Sequence, residues 1–111
     1  MNRSYVACAV TSILAALGSV GFALGASSLF DVSQKGRTFL PTSVTMAVGD
    51  TLAIHNDDEF VHHIFVNSPD LKFDSGEQGI GQTAKITFPA PGTFRVLCAI
   101  HPKMRLDVVV K

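Results

Sequence analysis

The sequence offers no stretch that reads as an amphipathic helix, no internal repeat and no low-complexity tract, and only two of its 111 residues are cysteine. A helical bundle, a repeat architecture and a disulfide-stapled scaffold are excluded by those absences alone. An excess of either charge is also missing, since nine basic side chains face nine acidic ones. Charge is absent altogether from Ser4 to Phe30, with Arg3 just in front of that run. Met1 to Gly25 therefore reads as a secretory signal peptide, in which Ala23-Leu24-Gly25 places small residues at the two positions a signal peptidase inspects. The alternative is an uncleaved signal anchor, because the apolar run has about the ~20 residues a membrane span needs. Cys8 does not suit a lipoprotein, whose lipidated cysteine follows the apolar region instead of preceding most of it.

Setting the leader aside leaves residues 26 to 111, with eight basic and nine acidic side chains and a net charge of −1. A generally cationic nucleic-acid binder is thereby excluded. A domain this short buries ~60 to 65% of its unfolded surface, so cross-linking would help it. Disulfides cannot supply that help, because Cys98 is the only cysteine left. A lone thiol in an oxidising compartment is a liability unless it is buried, paired between chains or ligated.

From Leu29 onward apolar residues recur with period two in short runs broken by turn residues, the pattern of half-buried strands. Ser43 to Val48, the Gly49-Asp50 turn and Thr51 to Asn56 read as a hairpin. Val61 to Asn67 reads as a further strand, and Ser68 to Thr83, broken by Pro69, Gly76, Gly79 and Gly81, as a long connecting loop. Ala84, Ile86 and Phe88 alternate with polar residues, and Phe94, Val96 and Cys98 share the face opposite Arg95. Met104, Leu106, Val108 and Val110 then face one way and Arg105, Asp107 and Lys111 the other. About seven strands and no helix predict an all-β fold, a small Greek-key β-sandwich. Phe60, Phe65, Phe88 and Phe94 are expected in its core, and His55 at its surface.

Cys98-Ala99-Ile100-His101-Pro102-Lys103-Met104 sets a thiol, an imidazole and a thioether at spacings of three and three. Such a loop can wrap one ion. Two histidines and one cysteine in a trigonal plane with a long axial methionine make the blue-copper arrangement. The missing histidine must come from elsewhere, and His62 or His63 can supply it. A buried Cys and a strand-starting Met can also be plain core residues. Zinc would need a fourth ligand such as Asp57, Asp58 or Glu59, which otherwise read as a solvated acidic turn or a docking patch.

These residues resemble the cupredoxin family, the small blue copper proteins. The Cys98-x-x-His101-Pro102-x-Met104 loop has the short intervals of amicyanin, and Asn56 followed six residues later by His62 resembles the strand end and first histidine ligand of the family. The stretch Gln34 to Pro41 and the Val48-Gly49-Asp50 turn resemble the bacterial plastocyanin and azurin-like group. The resemblance runs from Phe30 to Lys111 and implies His62, Cys98, His101 and Met104 as ligands of one copper per chain. Val61-His62-His63 departs from the family's Pro-His-Asn; adjacent strand residues face opposite sides, so one histidine only can meet Cys98, and the Asn56 spacing favours His62. Ala99-Ile100 replaces the residues ahead of the amicyanin histidine, where a Pro is usual. The family's matching Asn ties the two ligand loops together, which implies that role for Asn56.

The implied function is a periplasmic monomer that carries single electrons between larger redox proteins, such as a dehydrogenase or a cytochrome. Docking is expected at His101, Pro102 and Ile100, with Lys103, Arg105 or the acidic turn adding salt sensitivity. Two other readings stay open: a periplasmic copper-binding or delivery protein using the His62-His63 pair, and an enzyme using Cys98 and His101 as nucleophile and base. Nucleic acid and stable membrane association are not expected of the processed chain.

Overall fold

The computed structural model describes residues 26–111, so the expected leader, Met1 to Gly25, lies outside the described residues. Two sheets are built from nine strands: β1 (Leu29–Lys35), β2 (Thr38–Leu40), β3 (Ser43–Met46), β4 (Thr51–Asn56), β5 (Ile64–Ser68), β6 (Leu71–Asp74), β7 (Thr83–Thr87), β8 (Gly92–Cys98) and β9 (Arg105–Val110). One sheet has the order β2-β1-β4-β7 and the other β3-β9-β8-β5-β6. The pairs β1–β4 and β3–β9 are parallel and the rest antiparallel.

The period-two pattern explains the layers. Val32, Leu52, Ile54 and Ile86 of the first sheet and Ile64, Val66, Phe94, Val96, Leu106 and Val108 of the second lie in one buried cluster with Phe39 and Phe88. Fully burying side chains of this size stabilises the fold by roughly 1.5–3 kcal/mol each. Cys98 and Met104 belong to the same cluster, on the faces their alternation predicted.

The all-β sandwich is as expected, but three local expectations are corrected. The predicted hairpin at Gly49-Asp50 is a crossover between sheets, since β3 pairs with β9 and β4 with β1 and β7. Gly49 turns the corner with φ +89°. The Asp50 carboxylate holds it by accepting from the backbone N–H of Ser28 (2.8 Å) and of Ala47 (2.9 Å). Alternation identified both strands; it carries no information about which distant edge each one joins. The predicted loop over Ser68 to Thr83 contains β6, which returns antiparallel on β5, so together with the short edge strand β2 the strands number nine instead of seven. Of the phenylalanines expected in the core, Phe60 is 38% exposed, because it stands on the turn after β4, and Phe65 is only half-buried, because it takes the face of β5 opposite the buried Ile64 and Val66.

The site lies at one end of the sandwich. There β4 stops at Asn56, β5 begins just after His62 and His63, β8 stops at Cys98 and β9 begins just after Met104.

Candidate metal centre

Cys98 pairs in register with Ile64, which puts the thiol beside the segment entering β5. His62, two residues before Ile64, shares its face and is fully buried, held by a two-way backbone bridge to Gln78 (3.0 and 2.7 Å). His101 comes back toward both because the backbone N–H of Met104 closes a turn onto its carbonyl at 3.0 Å. His62, Cys98 and His101 are the cluster of metal-capable side chains found among the described residues. His62 Nδ1 is 3.6 Å from Cys98 Sγ, His101 Nδ1 is 3.8 Å from it, and the two Nδ1 atoms are 3.1 Å apart. A triangle with those sides has its circumcentre about 2.0 Å from each corner, close to an ordinary bond from a transition metal to imidazole and slightly short of one to thiolate.

The protonation pattern suits a cation. Asp58 Oδ2 lies 3.0 Å from His62 Nε2, so with the carboxylate ionised Nε2 carries the proton and Nδ1 presents its lone pair inward. Burial pushes the Asp58 carboxyl upward, but hydrogen bonds from the backbone N–H groups of Arg37 and Glu59, from His62 and from Gly36 outweigh it and hold the pKa at about 2. Burial lowers the pKa of His101, assisted by the charge His62 gains when protonated and by Arg37, and opposed by Asp58. Two imidazole lone pairs and a sulfur facing one another across 3.1 to 3.8 Å are a donor set that a soft or borderline metal ion satisfies. Met104 is buried and lines the same depression as His101.

The structure turns His63 away. Its Nε2 pairs with Asp74 at 2.6 Å on the outer face, while its backbone N–H donates to Cys98 Sγ at 3.4 Å and its carbonyl accepts from Ala99 N–H at 2.8 Å. His63 thus makes the link between the two ligand segments expected of Asn56. The Asn56 side chain instead joins Asp58 N–H and the carbonyls of Phe60, Gln78 and Gly79. The acidic turn is also corrected. Asp57 and Glu59 are exposed, but Asp58 is buried and sits behind His62, not among the metal-capable atoms. Sequence reasoning missed Asp58 because acidic triplets ordinarily mark solvated turns. Its position four residues before His62 was the available signal.

No family model matches the chain. It is 35% identical over 75 residues to the methylamine utilization protein MauL of Methylophilus methylotrophus, covering 65% of this chain and 43% of that one. It is 26% identical over 107 residues to chloroplastic plastocyanin of Pisum sativum, covering 86% of this chain and 62% of the relative. The chain thus spans less than two thirds of either curated relative. Among solved structures, the reduced Cu(I) form of an amicyanin variant superposes with a TM-score of 0.70 at 25% identity, covering 80% of this chain and 88% of that one. A Cu-containing nitrite reductase from Thermus scotoductus gives a TM-score of 0.67 at 28% identity, covering 74% of this chain and 22% of the larger one. Its fold is that of a cupredoxin, and the proteins it is similar to in sequence include plastocyanin and amicyanin.

The C-terminal histidine of the cluster, His101, stands at its rim. His101 is half-buried, with Phe60 edge-on at 6.1 Å between ring centroids and Ile100 and Pro102 exposed on its loop. Arg37 lies over the Phe60 ring, its guanidinium carbon 4.3 Å from the centroid. His55 pairs with Asp31 and Thr83 on the outer face of the first sheet, away from the metal-capable cluster.

Proposed function

We propose that His62, Cys98 and His101, together with Met104, would hold one copper ion, and that the chain carries single electrons between larger redox proteins. The triangle of His62 Nδ1, Cys98 Sγ and His101 Nδ1 carries this reading, since its centre suits one metal bond to each corner. Copper held there supplies a one-electron couple. The protein supplies a thiol fixed at a strand end, one imidazole oriented by a buried carboxylate and a second at the surface, on a β-scaffold that limits reorganisation. Two imidazoles, a thiolate and a methionine would be ligands enough for such an ion without a position for substrate, which favours a carrier over a catalyst. His63 is committed to Asp74, so the His62-His63 pair adds no second inward ligand for a metal-delivery role.

The leader reading places the chain in the periplasm, where a lone thiol is protected by ligation. The test is a Cu(II) titration of the purified chain followed by visible absorption and electron paramagnetic resonance. An intense thiolate-to-copper band saturating at one copper per chain and lost in Cys98→Ala is the expected result. A weakly absorbing complex that survives Cys98→Ala would overturn the reading.

A further inference from the structure

Cations predominate on the surface beside His101. Arg37, His101, Pro102, Lys103 and Met104 line a depression of about 500 Å³. A second of about 370 Å³ shares Arg37, Lys103 and Met104 and adds Arg105. Three exposed cations thus border a continuous cleft reaching from the exposed histidine toward the start of β9. Asp107, the acid that lines it, is engaged by Arg95 Nε at 3.3 Å. Asp58, the buried acid of the nearby turn, is fully occupied by hydrogen bonds from Gly36, Arg37, Glu59 and His62. Glu59 is the exposed acid next to Phe60 in the chain, and it opposes the cations.

Arg37 is placed there at a conformational cost. Lys35 pairs with Thr38, so Gly36 and Arg37 form a two-residue hairpin turn, and both have positive φ (61° and 58°). Glycine suits the second position of such a turn far better than arginine. Asp58 holds the strained backbone by accepting from Gly36 N–H (3.2 Å) and Arg37 N–H (2.7 Å), while Phe60 supports the guanidinium face. Strain of this kind persists where surrounding contacts over-determine it, and it collects at functional sites. The result is a cation pre-positioned at the edge of the port.

Resting on the electron-carrier reading, we propose that Arg37, Lys103 and Arg105 form the recognition cleft for a redox protein with a carboxylate-rich face, and that Arg37 is its specificity-determining residue. Charge complementarity steers encounter and rejects like-charged partners more than it adds affinity, so the signature is a salt-dependent rate.

Two measurements on the full chain test the proposal. In the first, the copper-free chain is titrated with the redox-inert paramagnetic anion hexacyanochromate(III) and followed by amide NMR. Line broadening centred on residues 36–38 and 101–105 is expected; broadening spread over Lys72, Lys85 and Lys111 instead would overturn the cleft, whether or not copper loads. In the second, the copper-loaded chain exchanges electrons with a basic cytochrome c and with the same cytochrome succinylated on its lysines. The succinylated form should react about tenfold faster at low salt, an advantage that shrinks as salt rises. Arg37→Gln should remove most of it, Lys103→Gln a smaller share, and Glu59→Gln should enlarge it. A faster reaction with the basic form, or an advantage untouched by both Arg37→Gln and Lys103→Gln, would overturn the proposal. Failure of the chain to load copper defeats the carrier reading, and with it the redox partner, while leaving the anion map interpretable.

Discussion

Three histidine–aspartate pairs of similar length occur among the described residues, and they differ chiefly in burial. His55–Asp31 (2.8 Å) and His63–Asp74 (2.6 Å) lie on the outer faces, with side chains 37% and 65% exposed in the first and 31% and 65% in the second. His62–Asp58 (3.0 Å) has both side chains essentially sealed, at 0% and 4%. In water an ion pair is screened and each partner can find other hydrogen bonds; sealed in the sandwich end, each group depends on the other. The same two residue types therefore make surface decoration in two places and, in the third, a lock on the orientation of a candidate metal-binding imidazole.

The comparison is broken most directly through the aspartates. Asp58→Ala leaves His62 Nε2 and the N–H groups of Gly36 and Arg37 without their acceptor, and a loss of about 3 kcal/mol in the copper-free chain is expected from denaturant unfolding. Asp31→Ala, read in the same assay, should cost about 0.5 kcal/mol or less. Comparable losses in the two variants would mean that burial does not distinguish the pairs.

Acid sharpens the contrast. The Asp58 carboxyl is held at about 2, below its ordinary 3.8, so the folded chain favours its ionised form. Its contribution to stability is complete above about pH 4 and is lost as pH falls toward 2. The carboxyls of Asp50 and Asp74 are also lowered by backbone hydrogen bonds, so wild type must be compared with Asp58→Asn. The unfolding midpoints of the two chains should draw together between pH 5 and about pH 2. A gap that stays constant would assign the acid sensitivity elsewhere.

Met104→Ala should leave copper bound and shift the reduction potential, read by voltammetry, since in the proposed site the thioether would tune an ion that His62, Cys98 and His101 would hold. Complete loss of copper would contradict that role. The smallest effect is expected from His63→Ala. Its ring leaves an exposed pair while its backbone N–H still reaches Cys98 Sγ, so the visible spectrum should be unchanged and stability should fall by about 0.5 kcal/mol at most.

The readable parts of this protein are those in which neighbours in sequence are neighbours in space. Alternation over Phe94 to Cys98 and Met104 to Val110 put the correct faces inward, because side-chain direction in a strand is set every second residue by the backbone. Cys98, His101 and Met104 announced a loop site because their separations are short. The Ser43 to Asn56 hairpin failed on the same ground: two strands can be adjacent in sequence and still belong to different sheets.

From the sequence alone came the all-β class, the inward faces, the lone thiol and a donor set suited to copper, since composition and local periodicity determine these. Tertiary structure decided the rest. It turned His62 inward and His63 outward, sealed Asp58 behind the imidazole, and carried the Gly36-Arg37 turn across to Phe60 and His101. Each of those contacts joins segments whose meeting depends on how two sheets pack and close at one end, and a chain pattern of period two holds no record of that packing.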